Sequence, residues 1–213
     1  MTLLLGHRGD PANHAENSVA SFLAALRCGA DGVELDVQVS ADGEPFVIHD
    51  ATLDRTTAAR GEVSAHTAAQ LDSAGVPRLR DVLPLLRDHV TAVELKPPCA
   101  VAPLLAAAVL DLVAPGQRVV LFAFDADHLR AVRAETALLV AARPDHPRAL
   151  LDSCGASALA AQWRCVDAAL CEEVPVMAWT VDEEDDARRL VDMGAAAVIS
   201  NRPCALRGVV PHG

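Results

Sequence analysis

Short apolar runs alternate with amphipathic stretches along the whole chain, and this alternation limits the possible folds more than any other feature. Near-continuous apolar runs are typical of parallel strands that are buried on both faces. Eight such runs in 213 residues predict a compact (β/α)8 barrel, or TIM barrel, with an open doubly wound sheet as the alternative. The runs are Leu3–Leu5, Val33–Val37, Ala92–Leu95, Val119–Phe124, Ala137–Ala142, a weak one near Ala156–Ala161, Val174–Val181 and Ala195–Ile199.

The stretches between the runs have the spacing and the end signals of amphipathic helices. Asn17 is predicted to cap a first helix over 19–26 that ends at Gly29, and Asp182 is predicted to cap a later helix. Because no linker or low-complexity segment divides the sequence, residues 1–213 are predicted to form a single domain.

One segment departs from the alternation. Val33–Val39 and Pro45–His49 are separated by only five residues, which is too few for a parallel crossover, and the gap holds an Asp-Gly turn signal at 42–43. A β-hairpin is therefore predicted directly after the second strand. Its register places His49 roughly opposite Leu35.

Two acidic residues, Glu34 and Asp36, flank Leu35 and point to the same side of the strand because side chains alternate. His49 becomes their close neighbour through the hairpin. Carboxylates buried together repel each other, and a divalent cation between them removes the repulsion. All-oxygen ligands favour Mg²⁺ or Ca²⁺ over zinc. The alternative for this pair is a solvated strand end.

Glu94 and Lys96 repeat the same spacing at the end of the next barrel strand. Glu94 is predicted as a third carboxylate ligand. Lys96 is the sole lysine of the chain, and it is predicted to hold a substrate oxygen as a compact point charge. An ordinary surface ion pair is the alternative.

Three more candidates lie at strand ends, where the sites of barrels are built: His7 and Arg8 after the first strand and Trp179 at the end of the seventh. His7 and His49 flank the carboxylates and suit general acid–base catalysis. The forked donor of Arg8 suits a phosphate. The alternatives are a structural hydrogen bond for His7, a surface ion pair for Arg8 and a space-filling role for Trp179.

Composition excludes several classes of function. Lys and Arg number 18 against 29 Asp and Glu, so general binding of nucleic acid is excluded, and an anionic substrate needs a local cluster of positive charge or a metal. The absence of a long apolar run or a leader-like start predicts a cytoplasmic protein with no stable membrane insertion. None of the six cysteines forms a C-x-x-C pair, and they are interpreted mostly as apolar filling rather than as a disulfide framework. The sequence leaves the oligomeric state open.

Short motifs with these residues follow one another in a fixed order over nearly the whole chain. They are Gly6–Gly9 (GHRG), Ala15–Ser18 (AENS), Gly29–Val37 (GADGVELDV), Val47–Asp50 (VIHD), Leu53–Thr57 (LDRTT), Val76–Leu79 (VPRL), Val93–Lys96 (VELK), Ala178–Val181 (AWTV) and Gly194–Pro203. This ordered set resembles the glycerophosphodiester phosphodiesterase family.

The resemblance implies a TIM barrel that splits a small glycerophosphodiester into glycerol 3-phosphate and an alcohol. The nucleophile is either water or a neighbouring glycerol hydroxyl, which would give a cyclic phosphate. The resemblance assigns eight residues: Glu34, Asp36 and Glu94 to a divalent metal, His7 and His49 to proton transfer, Arg8 and Lys96 to the phosphate, and Trp179 to the glycerol or alcohol portion.

Two further readings remain open from the sequence. One is a phospholipase D-like activity on lysophospholipids or sphingomyelin, which needs an apolar rim facing a membrane. The other is a non-catalytic, anion-binding relative. The chain also departs from the family in two places: Ala123 stands where a serine is common, and Ser200-Asn201 replaces a common Thr-Asp. The first is predicted to remove a hydrogen bond from the pocket, and both to affect substrate preference.

Overall fold

The computed structural model describes residues 1–96, 102–130 and 132–210, and of residues 102 and 103 the backbone only. The strands are β1 (Leu3–His7), β2 (Gly32–Val39), β3 (Pro45–Val47), β4 (Val90–Leu95), β5 (Val119–Ala123), β6 (Glu135–Val140), β7 (Ala158–Gln162), β8 (Val176–Trp179) and β9 (Ala197–Ser200). The helices are α1 (Val19–Arg27), α2 (Ala68–Ser73), α3 (Leu79–Val82), α4 (Ala102–Asp111), α5 (Pro147–Cys154), α6 (Ala168–Glu173), α7 (Glu184–Asp192) and α8 (Pro203–Leu206). Short 3₁₀ turns occur at Val63–Ala65, Leu83–Leu86, Ala126–His128 and Trp163–Cys165.

Eight strands form a closed parallel barrel. Their order is β1-β9-β8-β7-β6-β5-β4-β2, and β1 pairs with β2 to close the ring, with Leu5 opposite Gly32. The TIM-barrel prediction is confirmed, and closure rules out an open doubly wound sheet. Each predicted run overlaps one barrel strand, including the weak run, which overlaps β7.

The predicted hairpin is also confirmed. β3 runs antiparallel to β2 with Val47 opposite Val37, and the same register, continued by two residues, brings His49 to the level of Leu35. The segment from 40 to 78 leaves the barrel at this point and returns at α3. Its apolar side chains pack mainly against one another, and we call them the satellite cluster: Phe46, Ile48, Leu53, Val63, Ala68, Leu71 and Val76.

Alternation along β2 determines which of its residues face the barrel interior. Val33, Leu35 and Val37 are fully buried in the outer core, between the sheet and the helices. Since successive side chains point to opposite faces, Glu34 and Asp36 must point into the barrel. The apolar outer face thus forces two carboxylates inward.

Two helix-cap predictions are wrong. Ser18 caps α1 by accepting a hydrogen bond from the Ser21 amide, and the residue before α7 is Glu183. Asn17 and Asp182 have polar partners in the site instead, as described below. Asn and Asp side chains can cap a helix locally or form hydrogen bonds with residues far away in the sequence. Local spacing could not show which of the two roles each residue has.

The cysteine interpretation is wrong for one pair. A disulfide joins Cys28, at the end of α1, to Cys204 in α8, with Cα atoms 5.0 Å apart. Cys154 is buried as predicted, whereas Cys99 lies outside the described residues. Disulfides are uncommon in reducing compartments, so this bond gives no support to the cytoplasmic expectation. In the described part of the chain, no helix combines the length and the apolar character needed to span a bilayer.

Candidate functional site

A cavity of about 230 Å³ opens at the carboxyl ends of the barrel strands. Seven of the eight predicted site residues line it, and the eighth, Asp36, is fully buried beside them. A wider and more open cavity of about 560 Å³ lies next to Met1 and Ala196, at the opposite ends of the strands, and gathers no comparable set of reactive groups. The smaller cavity is therefore the candidate site. Its lining is His7, Arg8, Glu34, His49, Glu94, Lys96, Phe122, Phe124, Leu139, Trp179, Thr180 and Ile199.

Three carboxylates meet at the floor of the cavity. Asp36 on β2 is paired in register with Glu94 on β4, and Glu34 lies one inward position before Asp36. One oxygen from each of the three lies within 4.8 Å of the others. Three buried oxygen ligands at this spacing are a donor set suited to a hard divalent cation.

The carboxylates of this cluster outnumber the cationic side chains that contact them. Burial, together with the charges of Asp36 and Glu94, raises the pKa of Glu34 well above its usual value. Burial and Asp36 raise the pKa of Glu94 in the same way. For Asp36, burial acts in the same direction but the neighbouring cations outweigh it and lower the pKa. A bound divalent cation would let all three groups ionise together.

Two cationic side chains contact the same carboxylates. Arg8 Nε lies 3.2 Å from Asp36 Oδ2, and Lys96 Nζ lies 2.9 Å from Asp36 Oδ1 and 2.6 Å from Glu94 Oε1. Burial opposes the charge of Lys96, but the two carboxylates outweigh it and raise its pKa. Both cations are held at the cavity wall, where they can also contact an anionic substrate.

The loop after β1 places Arg8 by an unusual backbone path. Arg8 and Gly9 both have positive φ, at 55° and 90°, and the Arg8 amide donates to Glu34 Oε2 at 3.1 Å. A Cβ atom on Gly9 would lie 2.4 Å from Ser21 Oγ and 2.5 Å from the Ser21 carbonyl carbon. Only glycine lets the loop approach α1 this closely.

His7 is oriented by a side-chain amide. Its Nδ1 lies 2.7 Å from Asn201 Oδ1. Asn201 in turn donates to the Asp182 carboxylate from its backbone N–H at 2.8 Å and from Nδ2 at 2.9 Å. Because an amide oxygen can only accept, Nδ1 carries the proton and Nε2 is left as an acceptor. Burial lowers the pKa of His7, with the Asn201 hydrogen bond acting against it, so the neutral ring is favoured.

His49 is oriented by a carboxylate. Its Nδ1 lies 2.7 Å from Asp50 Oδ1, and a third of its side chain is exposed. Because an ionised carboxylate can only accept, Nδ1 carries a hydrogen and Nε2 is the ring nitrogen left for other partners. The two histidines thus line the same cavity with different partners.

An aromatic pair forms the apolar side of the cavity. Trp179 donates from Nε1 to the Ala160 carbonyl at 2.7 Å, and Phe124 meets its ring edge-to-face at 5.9 Å. Phe124 is 56% exposed at the mouth. Ala123 is fully buried in the outer core and does not line the cavity, so the predicted loss of a pocket hydrogen bond at this position is wrong.

Several polar residues that hold the site together were not predicted from the sequence. Asn17 donates to Asp36 Oδ2 at 2.8 Å and accepts from the Asp36 amide, and Asn201 supports His7 rather than the substrate. Asp182 fixes Asn201, and Asp50 fixes His49. The available signal was position: Asn17, Asp50 and Asn201 lie within quoted motifs, and Asp182 directly follows one.

Most of the chain matches one known protein family. The model of the glycerophosphoryl diester phosphodiesterase family matches residues 7–205. A glycerophosphodiester phosphodiesterase of Caldanaerobacter subterraneus subsp. tengcongensis is 29% identical over an alignment of 250 residues, which covers 100% of this chain and 99% of the relative.

The chain shares its fold with solved structures. A glycerophosphodiester phosphodiesterase from Agrobacterium tumefaciens has a TM-score of 0.80 and 27% identity, covering 97% of this chain and 99% of the other. An Oleispira antarctica phosphodiesterase, solved in complex with the product sn-glycerol-3-phosphate, has a TM-score of 0.89 and 22% identity, covering 98% and 96%.

Proposed function

The chain belongs to the glycerophosphoryl diester phosphodiesterase family and is an enzyme of that class, and we propose that it cleaves small glycerophosphodiesters to glycerol 3-phosphate and an alcohol with the help of a divalent cation and two histidines. The observation that carries the proposal is the meeting of three buried carboxylates, two cations and two histidines in one cavity. The Oleispira antarctica structure holds the product of such a reaction, which supports a substrate of that size.

Glu34, Asp36 and Glu94 fit a divalent cation by donor type, spacing and charge. The pKa values of Glu34 and Glu94 are raised because the carboxylates are buried together and two side-chain cations do not fully neutralise them. When bound there, Mg²⁺ or Ca²⁺ supplies a positive charge that polarises a phosphoryl oxygen.

Arg8 and Lys96 are proposed to hold the non-bridging phosphate oxygens. A phosphodiester carries one negative charge, and more charge gathers on its oxygens as the nucleophile attacks. Fixed cations in a partly buried cavity stabilise that charge without rearranging during the reaction. They also explain how a chain with a net charge of −11 can receive an anion.

The surroundings of the two rings support a proposal for the proton transfers. His7, neutral with Nε2 as an acceptor, is proposed to take the proton from the nucleophile. His49, which lines the same cavity and is held at Nδ1 by Asp50, is proposed to donate a proton from Nε2 to the departing alkoxide. The assignment is the same for attack by water and for attack by the neighbouring glycerol hydroxyl.

Trp179 and Phe124 are proposed to contact the carbon chain of the glycerol. Their edge-to-face pair supplies a rigid apolar surface opposite the charged groups. A glycerol phosphate ester has a carbon chain and a charged phosphate, and the cavity has an apolar side and a charged side that match them.

The test is release of glycerol 3-phosphate from glycerophosphocholine by the wild-type protein, before and after EDTA treatment and after restoring Mg²⁺ or Ca²⁺. We expect release that EDTA abolishes and one of the ions restores. A folded protein that releases nothing with either ion would contradict the substrate, and release that persists after verified metal removal would contradict the metal site. Lysophosphatidylcholine in a parallel assay tests the phospholipase D-like alternative.

A further inference from the structure

Arg55 lies outside the cavity and is 47% exposed, and none of the roles proposed above uses it. Its guanidinium binds two carboxylates at once. Nη1 and Nη2 donate to the two oxygens of Glu16 at 2.8 and 2.6 Å, while Nε and Nη2 donate to the two oxygens of Asp50. Both contacts are bidentate, the arrangement in which arginine gives the best-defined geometry.

Each of these carboxylates has a second partner inside the site. Glu16 Oε1 accepts from Arg8 Nη1 at 2.9 Å, and Asp50 Oδ1 is bonded to His49 Nδ1 at 2.7 Å. A continuous chain of contacts therefore runs from His49 through Asp50, Arg55 and Glu16 to Arg8. Within the described residues, Arg55 is the single side chain that contacts both carboxylates.

We infer that Arg55 is a positioning residue that fixes His49 and Arg8 in one common geometry, an inference that rests on the proposed function of these two groups. The contact also spans two parts of the fold. Glu16 lies in the loop between β1 and α1, whereas Asp50 and Arg55 belong to the segment 40–78. Arg55 thus holds the segment that carries His49 against the barrel loop that carries Arg8.

The charges agree with this role. Hydrogen bonds from Arg55 are the main cause that lowers the pKa of both Glu16 and Asp50, so the two carboxylates stay ionised as acceptors. Without Arg55 the two like charges lose their common counter-ion. Glu16 is then free to move with Arg8, and Asp50 is free to move with His49.

The two halves of the network predict different kinetic effects. Glu16→Gln weakens the orientation of Arg8 and is expected mainly to raise KM, because Arg8 contacts the phosphate in the bound substrate. Asp50→Asn disturbs His49 and is expected mainly to lower kcat. Arg55→Ala removes both supports, and we expect kcat to fall and KM to rise together, lowering kcat/KM by about 10- to 100-fold.

The experiment measures kcat and KM on glycerophosphocholine for the wild type and for Arg55→Ala, Arg55→Lys and Arg60→Ala, with the activating cation present. Arg60 is the matched control: it is 72% exposed and lies in the same segment. Among the described residues its polar partner is Asp54, through an ion pair at 3.7 Å and a hydrogen bond to the carbonyl at 2.8 Å, so wild-type constants are expected. Arg55→Lys keeps the charge but cannot form two bidentate contacts, so it should recover little of the kcat/KM that Arg55→Ala loses. Methylguanidinium added to Arg55→Ala should restore part of kcat, because the position is open to solvent.

The inference is overturned if folded Arg55→Ala keeps the wild-type constants, if Arg60→Ala loses as much, or if Arg55→Lys equals the wild type. If Arg55→Ala does not fold, the two single-sided variants decide the question: unchanged constants in both overturn it. Failure of the proposed function is distinguishable, because it appears as an inactive wild type. In that case calorimetric binding of glycerol 3-phosphate to the wild type and to Arg55→Ala tests the Arg8 half, and equal affinities overturn the inference.

Discussion

At the scale of single residues, the partner of each histidine Nδ1 determines what the ring can do. The Asn201 oxygen makes His7 a proton acceptor at Nε2, and the Asp50 carboxylate fixes the orientation of His49 through its Nδ1. The two rings are chemically identical, so the different roles proposed for them come from their different partners.

This difference predicts an asymmetric response to the leaving group. We expect His7→Ala and His49→Ala each to lower kcat on glycerophosphocholine by about 100-fold or more. On a glycerophosphodiester with a 4-nitrophenol leaving group, which departs without protonation, His49→Ala should recover most of its activity and His7→Ala should not.

The control is His89→Ala, at the amino end of β4 and so at the far end of the barrel from the site. Its kcat should match the wild type. Equal recovery of both site variants on the activated substrate, or recovery of His7→Ala alone, would contradict the assigned roles.

Asn17 is expected to contribute to stability through both its side chain and its backbone. Its amide binds the buried Asp36 carboxylate, and its φ is 55°. Asn17→Gly keeps the backbone but loses the hydrogen bonds, which should cost about 1.5–3 kcal/mol. Asn17→Ala should cost roughly 1 kcal/mol more, because alanine resists positive φ. Urea unfolding of the three proteins measures this, and equal stability of the Gly and Ala variants would exclude the backbone effect.

The eight site residues could be predicted from the sequence, but the residues that orient them by hydrogen bonds could not. Glu34, Asp36 and Glu94 follow from strand alternation, which is a local rule. Asn201 lies 194 residues from His7, and no local pattern states that the two are in contact. The supporting residues could be recognised only once the barrel had closed and brought β9 beside β1.

At the scale of elements, the tight packing of the loop after β1 on α1 gives a prediction for Gly9. Gly9→Ala forces a Cβ atom against the Ser21 backbone and imposes positive φ on alanine, so we expect a loss of about 3 kcal/mol and a fall in kcat/KM as Arg8 shifts. Gly43→Ala is the matched control. Its φ is 88° but no atom lies within 4 Å of the added Cβ, so a loss of about 1 kcal/mol is expected, without an effect on kcat/KM.

Unfolding free energies and steady-state kinetics of both variants check this. A Gly9→Ala protein as stable as Gly43→Ala would mean that the loop can move away from α1. Such a result would contradict the close approach seen in the structure.

Element types were easier to predict than element ends. The apolar runs identified every barrel strand, because a strand buried on both faces needs consecutive apolar residues. The Asp-Gly pair identified the hairpin, because the turn geometry favours these residue types. The cap predictions for Asn17 and Asp182 were wrong because these side chains form hydrogen bonds with distant groups. The prediction for Ala123 was wrong because side chains alternate along β5. Phe122 and Phe124 line the cavity, and Ala123 between them points to the other face.

At the scale of the whole molecule, the disulfide joins the first helix to the last across 176 residues of sequence. Cross-linking so long a loop restricts the unfolded chain, and the loop-entropy relation gives about 5 kcal/mol as the stabilisation. We expect Cys204→Ser to lower the unfolding free energy by most of that amount, measured in urea without reductant.

Cys171→Ser, which removes a half-buried free thiol, serves as the control and should unfold at nearly the wild-type midpoint. Dithiothreitol should lower the wild-type midpoint and leave that of Cys204→Ser unchanged. A wild-type midpoint that is insensitive to reductant would show that the bond contributes nothing to stability. The pairing itself could not be read from the sequence, because only barrel closure makes the two helices neighbours.

The satellite cluster forms an apolar core of its own beside the barrel, and its member Ile48 directly precedes His49. Its seven apolar side chains are buried largely among themselves, so the segment can open as a unit while the barrel strands keep their hydrogen bonds. Opening withdraws His49 from the cavity and leaves His7 and the carboxylates in place. We therefore expect catalysis to be lost at a lower denaturant concentration than the fold is, and the amide hydrogens of the segment to exchange ahead of those in β1, β2 and β4.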